Sequence, residues 1–426
     1  MDQNNHLLQR SQSLQQQRHA LPIWRCRETI KKEVQSNQFL VLVGETGSGK
    51  TTQIPQFLNE TGLYTHFIRS RSDRRRKLLM IGVVQPRRVA AVSVAKRVSD
   101  EIGSNVGSIV GYSVRFEERY KLGETRIKYL TGGMLLREAL IDPMLSNYSI
   151  IILDEAHERT AQFDILLGIV KNIAFQRPLV SDQQMTVQYP PMRVIVMSAT
   201  LEAEKFAQYL NKAEILHVKG RQHPVEIYNT VSTQPDYLDS LVTTIMQIHK
   251  EDPQIEDETV ELNKQQGNQK IRKGDIIAFL TGQEDIELAQ ILLKKRIEES
   301  LDTIEASEDD ANQKKSLNEQ ESQGSKSRNE TSIKNKSKKL KKMEILPLYA
   351  ALPFEQQQLV FIPPEQEDDQ SVTSGLNIRR VILSTNIAEA SVTVPGISFV
   401  VDSGLSKMKH HMPISCIDIL RVEQIS

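Results

Sequence analysis

An apolar run, Phe39 to Val43, leads without a break into Gly44-Glu-Thr-Gly-Ser-Gly-Lys-Thr51, and this junction restricts the fold more than any other feature. Glycines at 44, 47 and 49 let a backbone wrap closely, turning its N–H groups and a helix N-terminus toward one point. That is a cradle for phosphate oxygens, and it requires a strand before it and a helix after it. A parallel sheet with crossover helices follows. The alternation of apolar runs and amphipathic stretches from Leu21 to Val218 has that form, with strands expected at Phe39 to Val43, Met80 to Val84, Ile127 to Leu130, Ile150 to Leu153 and Val194 to Met197. A second alternation opens with a helix over Tyr237 to His249 and continues with strands at Asp275 to Leu280, Val381 to Ser384 and Ser398 to Val401. A chain of 426 residues exceeds one hydrophobic core, so the fold class is α/β with two tandem parallel-sheet domains, 21–219 and 236–426, joined by a connector at 220–235.

The remaining sequence is polar. Residues 1–20 carry six glutamines and no apolar core, which reads as a disordered lead-in and not as a secretory signal. Two insertions into the second domain, 252–273 and 298–342, are expected to be disordered. In the second, Glu298 to Asp310 holds seven acidic and no basic residues, whereas Ala311 to Lys342 holds ten basic and three acidic. A solvated loop is the plainer reading, and an RNA-touching basic half is the alternative. The basic cluster Arg69 to Lys77 reads either as a nuclear-import signal or as a charged loop. Lysine plus arginine equals aspartate plus glutamate, at 54 each, so any attraction for a polyanion has to be local. Two distant cysteines, Cys26 and Cys416, fit neither a disulfide framework nor a zinc cluster, which favours a reducing compartment. No apolar stretch reaches the length of a membrane span.

Within the cradle, Lys50 is suited to neutralise β- and γ-phosphate charge and Thr51 to reach Mg²⁺ through its hydroxyl. A second constellation, Ile150-Ile-Ile-Leu-Asp154-Glu155-Ala-His157, ends a buried strand on adjacent carboxylates. In a parallel sheet ligands collect beyond the carboxyl ends of the strands, which brings Asp154 beside the phosphate loop. There Asp154 can hold Mg²⁺, directly or through water, and Glu155 can deprotonate an attacking water.

These two motifs, with Gln85-Pro-Arg-Arg-Val-Ala-Ala91, Thr131-Gly-Gly-Met-Leu-Leu-Arg-Glu138, Ser198-Ala-Thr200, Phe279-Leu-Thr-Gly-Gln-Glu284 and Ser384-Thr-Asn-Ile-Ala-Glu-Ala390, stand in the order of the DEAH-box ATP-dependent RNA helicases, which the chain resembles. The resemblance spans Leu21 to Ser426 apart from the insertions. It implies two RecA-like domains, the second incomplete, and an NTP-driven motor on RNA. Nucleotide contacts would come from Gly44, Glu45, Thr46, Gly47, Ser48, Gly49, Lys50, Thr51 and Thr52, with Arg97 and Phe361 sandwiching the base and Asp402 facing the nucleotide. Such a sandwich does not read the base edge, so NTPs other than ATP would be accepted. For Asp402 a plain strand-end turn residue is the competing reading. Catalysis would fall to Lys50, Asp154, Glu155 and His157, the last reporting nucleotide state to the second domain. The metal set is Thr51, Asp154 and Glu155. RNA phosphates would meet Arg87, Arg88, Thr131, Gly132, Thr281, Gly282, Thr385 and Asn386, with little sequence specificity. Ser198 and Thr200 match the element that couples the ATP and RNA sites.

Within the family, Gly220 to Tyr228 and Leu346 to Gln357 are most similar to the helicases linked to the nucleolus and ribosomal RNA. The resemblance further implies a nuclear compartment, with cytoplasm as the alternative, and a glycine-rich activating protein as partner. Three departures stand out. Gly132 occupies a position usually held by Asp, and Lys407 to Cys416 departs from the strand-separating hairpin. The arginine-finger helix would follow Val422 to Ser426, where the sequence stops, so slow hydrolysis is expected of this chain. A non-catalytic nucleotide- and RNA-binding module is therefore the competing class. A double-stranded RNA sensor and a DNA-directed enzyme are weaker alternatives.

Overall fold

The computed structural model describes residues 14–63, 65–69, 74–179, 189–199, 202–220, 224–232, 234–251, 274–318, 342–362, 378–389, 394–412 and 417–425. The chain divides into two compact units between Ile227 and Tyr228. Among the described residues, no helix is long and apolar enough to cross a membrane.

In the first unit a short helix α1 (14–20) is followed by α2 (Arg27–Ser36), β1 (Phe39–Gly44), α3 (Lys50–Glu60), the hairpin strands β2 (Thr65–Arg69) and β3 (Arg74–Leu78), β4 (Met80–Gln85) and α4 (Arg88–Ile102). Then come β5 (Val110–Val114), β6 (Glu117–Arg119), β7 (Ile127–Thr131), α5 (Gly132–Ile141), β8 (Tyr148–Leu153), α6 (Ala161–Gln176), β9 (Arg193–Ser198), α7 (Ala203–Tyr209) and β10 (Glu214–Val218). The main sheet has the order β10-β1-β9-β8-β4-β7-β5-β6, parallel except at the β5/β6 edge. β1, β4 and β8 are buried along their whole length, because helices cover both faces of a parallel sheet, and their sequences are accordingly near-continuous apolar runs. Between them Gly82 keeps the space clear, since a Cβ there would lie 2.9 Å from Ile151 Cδ1 and Tyr148 Cε1.

One buried cation locks this sheet to its helical layer. Arg177, at the end of α6, has no solvent exposure. Its guanidinium donates to the carbonyls of Pro190 (2.7 Å), Met144 and Leu145 (both 2.9 Å) and Tyr148 (2.6 Å). Burial lowers its pKa to about 10.

The second unit holds α8 (Tyr237–Glu251), β11 (Asp275–Phe279), α9 (Gln283–Asn318), β12 (Lys342–Leu348), α10 (Phe354–Leu359), β13 (Ile378–Ser384) and β14 (Ile397–Asp402), then a hairpin of β15 (Leu405–Met412) and β16 (Ile417–Gln424). Its parallel sheet runs β12-β13-β11-β14. The Asp275 carboxylate, almost fully buried, accepts from the Arg380 amide at 2.9 Å and from Arg380 Nε at 2.8 Å, and Arg380 Nη2 stands 2.8 Å from its Oδ2 as an ion pair. A two-pronged pair of this kind fixes the start of β11 against β13.

Three expectations are corrected. Residues 14–20, read as disordered lead-in, are helical, and Arg18 among them donates to Gln53 Oε1 at 2.9 Å; residues 1–13 lie outside the described ones. Arg69 and Arg74 to Lys77, where a charged loop is one of the two readings, lie in paired antiparallel strands, with Arg69 opposite Arg74, and residues 70–73 lie outside the described ones. The insertion expected from residue 298 begins as helix, since α9 runs on to Asn318. Its Glu, Leu, Ala, Gln and Lys residues are good helix formers, and elongating a helix already nucleated by packing is far cheaper than starting one. Residues 252–273 and 319–341 lie outside the described ones.

Candidate functional site

The motifs scattered over the first 200 residues gather on the carboxyl edge of the first sheet, because parallel strands end on the same side. The phosphate loop opens at the end of β1, Gln85 closes β4 with Arg87 and Arg88 after it, Thr131 closes β7 and Gly132 opens α5, Asp154 to His157 follow β8, and Ser198 closes β9. β9 lies between β1 and β8, and β4 lies on the far side of β8.

In the loop, Gly47 and Gly49 adopt φ of +74° and +93°, a region costly for any residue with a Cβ. A Cβ on Gly44 would sit 3.1 Å from the Val218 carbonyl oxygen and 3.2 Å from Lys50 Cδ. Ser48 Oγ donates to the Glu45 carbonyl at 2.8 Å, and Thr52 Oγ1 to the Gly49 carbonyl at 3.3 Å, which ties the turn to the first turn of α3. Lys50 is buried and its Nζ donates to the carbonyls of Gly44 and, at 2.8 Å, Glu45. Desolvation lowers its pKa, against the pull of Asp154, Glu155 and Glu45.

Thr51 Oγ1 and Asp154 Oδ2 are 2.6 Å apart, although their residues are 103 positions apart in the chain. Asp154 also accepts from Gln85 Nε2 at 2.7 Å and from the Glu155 amide at 2.9 Å. Burial pushes its pKa up, and those hydrogen bonds and Lys50 oppose the rise. Glu155 is held at φ +54°, a left-handed conformation that costs a non-glycine residue about 1 kcal/mol or more. Burial, followed by the neighbouring Asp154 charge, raises its carboxyl to about 7.

The structure thus brings Lys50, Thr51, Asp154 and Glu155 together. A hydroxyl and a carboxylate in contact, a buried ammonium beside them and a second carboxylate next to them fit a divalent cation, which Thr51 and Asp154 would hold and which would supply positive charge to a phosphate. Tyr129, buried on β7, donates from its hydroxyl to the Thr51 carbonyl at 2.9 Å, and burial holds its pKa well above the ordinary value.

His157 lies in the single helical turn Ala156–Glu158 that follows β8. Its Nδ1 lies 3.4 Å from Glu155 Oε2 and accepts from the Ala199 amide at 3.4 Å, so these partners are in the first unit. Asp402, at the end of β14, accepts from the Gly404 amide at 2.8 Å, the geometry of the competing turn reading. Arg87 Nε is 3.7 Å from Glu158 Oε1, and Arg88 Nη2 is 3.6 Å from Glu117 Oε2. A Cβ on Gly132 would stand 3.1 Å from Leu166 Cδ1, so a small residue there suits the packing of α5 on α6. Arg97 Nε donates to Glu101 at 2.8 Å. In the second unit Thr281 Oγ1 donates to Asp285, Gly282 lies beside Lys407, and the Thr385 amide donates to the Leu348 carbonyl at 3.1 Å. Asn386 is exposed and Phe361 half-buried in a small apolar cluster with Ile277, Leu348 and Ile382. Thr200 lies outside the described residues.

Residues 24–209 match the DEAD/DEAH box helicase family. The chain belongs to that family. It is 39% identical over 415 residues to mouse ATP-dependent RNA helicase DHX33, covering 97% of this chain and 47% of the relative. It is 41% identical to the fission-yeast pre-mRNA-splicing factor ATP-dependent RNA helicase prp22, covering 97% and 28%. The Arabidopsis pre-mRNA-splicing factor ATP-dependent RNA helicase DEAH10 is 36% identical over 440 residues, covering 96% and 51%. The chain therefore spans about half or less of the length of these relatives.

Sequence reasoning did not single out Gln85, Gln53, Tyr129 and Glu101, whose side chains bond directly or through one another to Thr51, Thr52 and Asp154. For Gln85 a signal existed, a polar side chain closing an apolar strand just before Pro86. For the others none did, because their roles arise from contacts 45 to 78 residues away.

Proposed function

We propose that this chain is an ATP-dependent RNA helicase core that couples nucleoside triphosphate hydrolysis to translocation on or remodelling of RNA. The observation that carries the reading is the convergence of Thr51 and Asp154 at 2.6 Å beneath the phosphate loop. Mg²⁺ held there supplies positive charge to the β- and γ-phosphates. Lys50, whose ammonium rests on two loop carbonyls, would serve the phosphate oxygens, Asp154 and Thr51 would hold the metal, and Gln85 keeps the Asp154 carboxylate oriented. Glu155, whose raised pKa makes it a competent acceptor near neutrality, takes the proton of the attacking water at its carboxylate. Arg87, paired with Glu158 just after the Asp154–His157 motif, and Arg88 grip RNA phosphates with Thr131 and Gly132, and Thr281, Gly282, Thr385 and Asn386 do so in the second domain. The relatives' names support RNA as the polymer, and the two splicing helicases among them support a nuclear location. The expected glycine-rich activator belongs with this reading.

The test is ATP binding and RNA-stimulated turnover of the chain beside Lys50→Ala and Glu155→Gln. Lys50→Ala should lose ATP binding, and Glu155→Gln should bind ATP but turn over at least about 100-fold more slowly. Undiminished turnover in Glu155→Gln would remove it as the base. Equal stimulation by RNA and DNA would remove the RNA assignment.

A further inference from the structure

Glu101 lies on α4 with its carboxylate closed to solvent, and side chains from three helices converge on it. Its Oε2 accepts from Gln53 Nε2 at 2.8 Å and Gln56 Nε2 at 2.7 Å, both on α3. Its Oε1 accepts from Arg97 Nε at 2.8 Å, and Arg18 of α1 stands 3.6 Å from Oε2. Gln53 also donates to Thr52 Oγ1 at 3.0 Å, and its amide to the Gly49 carbonyl at 2.9 Å. One buried carboxylate is thus joined to the phosphate loop on one side and to Arg97 on the other. Burying an ionised carboxylate is costly, and an Arg–Glu pair one helical turn apart needs no burial to form.

The Arg97 side chain keeps 42% of its surface exposed while its Nε is tied inward and its Nη2 donates to Gln17 Oε1 at 3.2 Å. Two bonds at different edges fix the guanidinium plane and leave an open face, a platform for a planar ring.

We propose that Glu101 is a positioning residue for nucleotide recognition. It sets the Arg97 plane at a fixed place relative to the phosphate loop, so that base and phosphates are bound as one rigid ligand, with Gln17 as a lateral stop. The proposal rests on the reading of Arg97 as the base contact.

Calorimetric affinities for ATP and for inorganic tripolyphosphate, each with Mg²⁺, measure the share that the base contributes. In the full chain, Glu101→Gln should cut the preference for ATP over tripolyphosphate about fivefold, the scale of one cation–π contact. The exposed Gln17→Ala should cut it about twofold. In an Arg97→Ala background, Glu101→Gln should change that ratio no further, because the pathway runs through Arg97. Equal weakening of both ligands by Glu101→Gln, or an undiminished effect without Arg97, overturns the proposal. A wild-type ratio in Arg97→Ala alone would instead remove the base contact on which it rests. Should Glu101→Gln not fold, an unchanged ratio in Gln17→Ala is sufficient to overturn it.

Discussion

At the scale of single residues, the site places two carboxylates where solvation is poor, and this has a measurable thermodynamic consequence. Glu155 titrates at about 7 in the folded chain against an ordinary value of 4.5. The folded state therefore holds its proton more tightly than the unfolded chain. Its contribution to stability is present at low pH and is lost as pH rises from the unfolded value through the folded one. In the nucleotide-free protein, Glu155→Gln should raise stability by on the order of 2–3 kcal/mol at pH about 8, and the gain should shrink as pH falls toward about 5. Thermal melts of both proteins across that range check it, and a pH-independent difference would assign the effect to packing. The four chemical residues were legible beforehand because each lies within a short motif whose backbone form is local. The contact of the His157 ring with Ala199 was not, because that neighbour is supplied by the strand order and not by the motif.

Secondary-structure elements are held by contacts of a different kind. The first sheet is an apolar assembly, yet the junction of α6, β8 and β9 is secured by the guanidinium of Arg177 on four carbonyls. Arg177→Met keeps much of the volume and removes the guanidinium from those carbonyls; Leu145 keeps the Tyr148 amide as donor at 3.0 Å, and each carbonyl left unpaired costs about 1 kcal/mol or more. A loss of about 3–5 kcal/mol in chemical denaturation is expected. The variant should still bind Mg-ATP under conditions where it is folded, since Arg177 is at the opposite, amino-terminal end of β8 from Asp154. All five strands expected in the first domain are present, read from mainly apolar runs that Lys128 interrupts in β7. Within that domain the strands that escaped reading were β2 and the arginine-rich β3, and β5, β6 and β10, which lie at or toward the sheet edges.

Considered as a whole molecule, the chain has separate cores. The large cluster around Val41, Leu153 and Val196 belongs to the first unit, and those around Val242, Ile276 and Leu383 and around Ile277 and Ile382 belong to the second. Each core is built from its own sheet and helices, which is the condition for independent folding. Residues 1–227 expressed alone should therefore unfold in one cooperative transition and bind Mg-ATP through the phosphate loop and Asp154. Residues 228–426 alone should show no ATP binding in calorimetry. A first fragment without a cooperative melt would show that the cores depend on one another.

By itself the sequence determined the phosphate loop, the carboxylate pair after Leu153, the α/β class and the family. Each of these is carried by residues adjacent in the chain, and backbone sterics and apolar periodicity act over such short spans. Only the tertiary structure decided that Thr51 touches Asp154, that Gln85 orients it, and that Arg18 and Arg97 meet on Glu101. Except for the Arg97 bond, those contacts join residues more than 45 positions apart. Strand order and helix packing set them, and neither is written in any single segment.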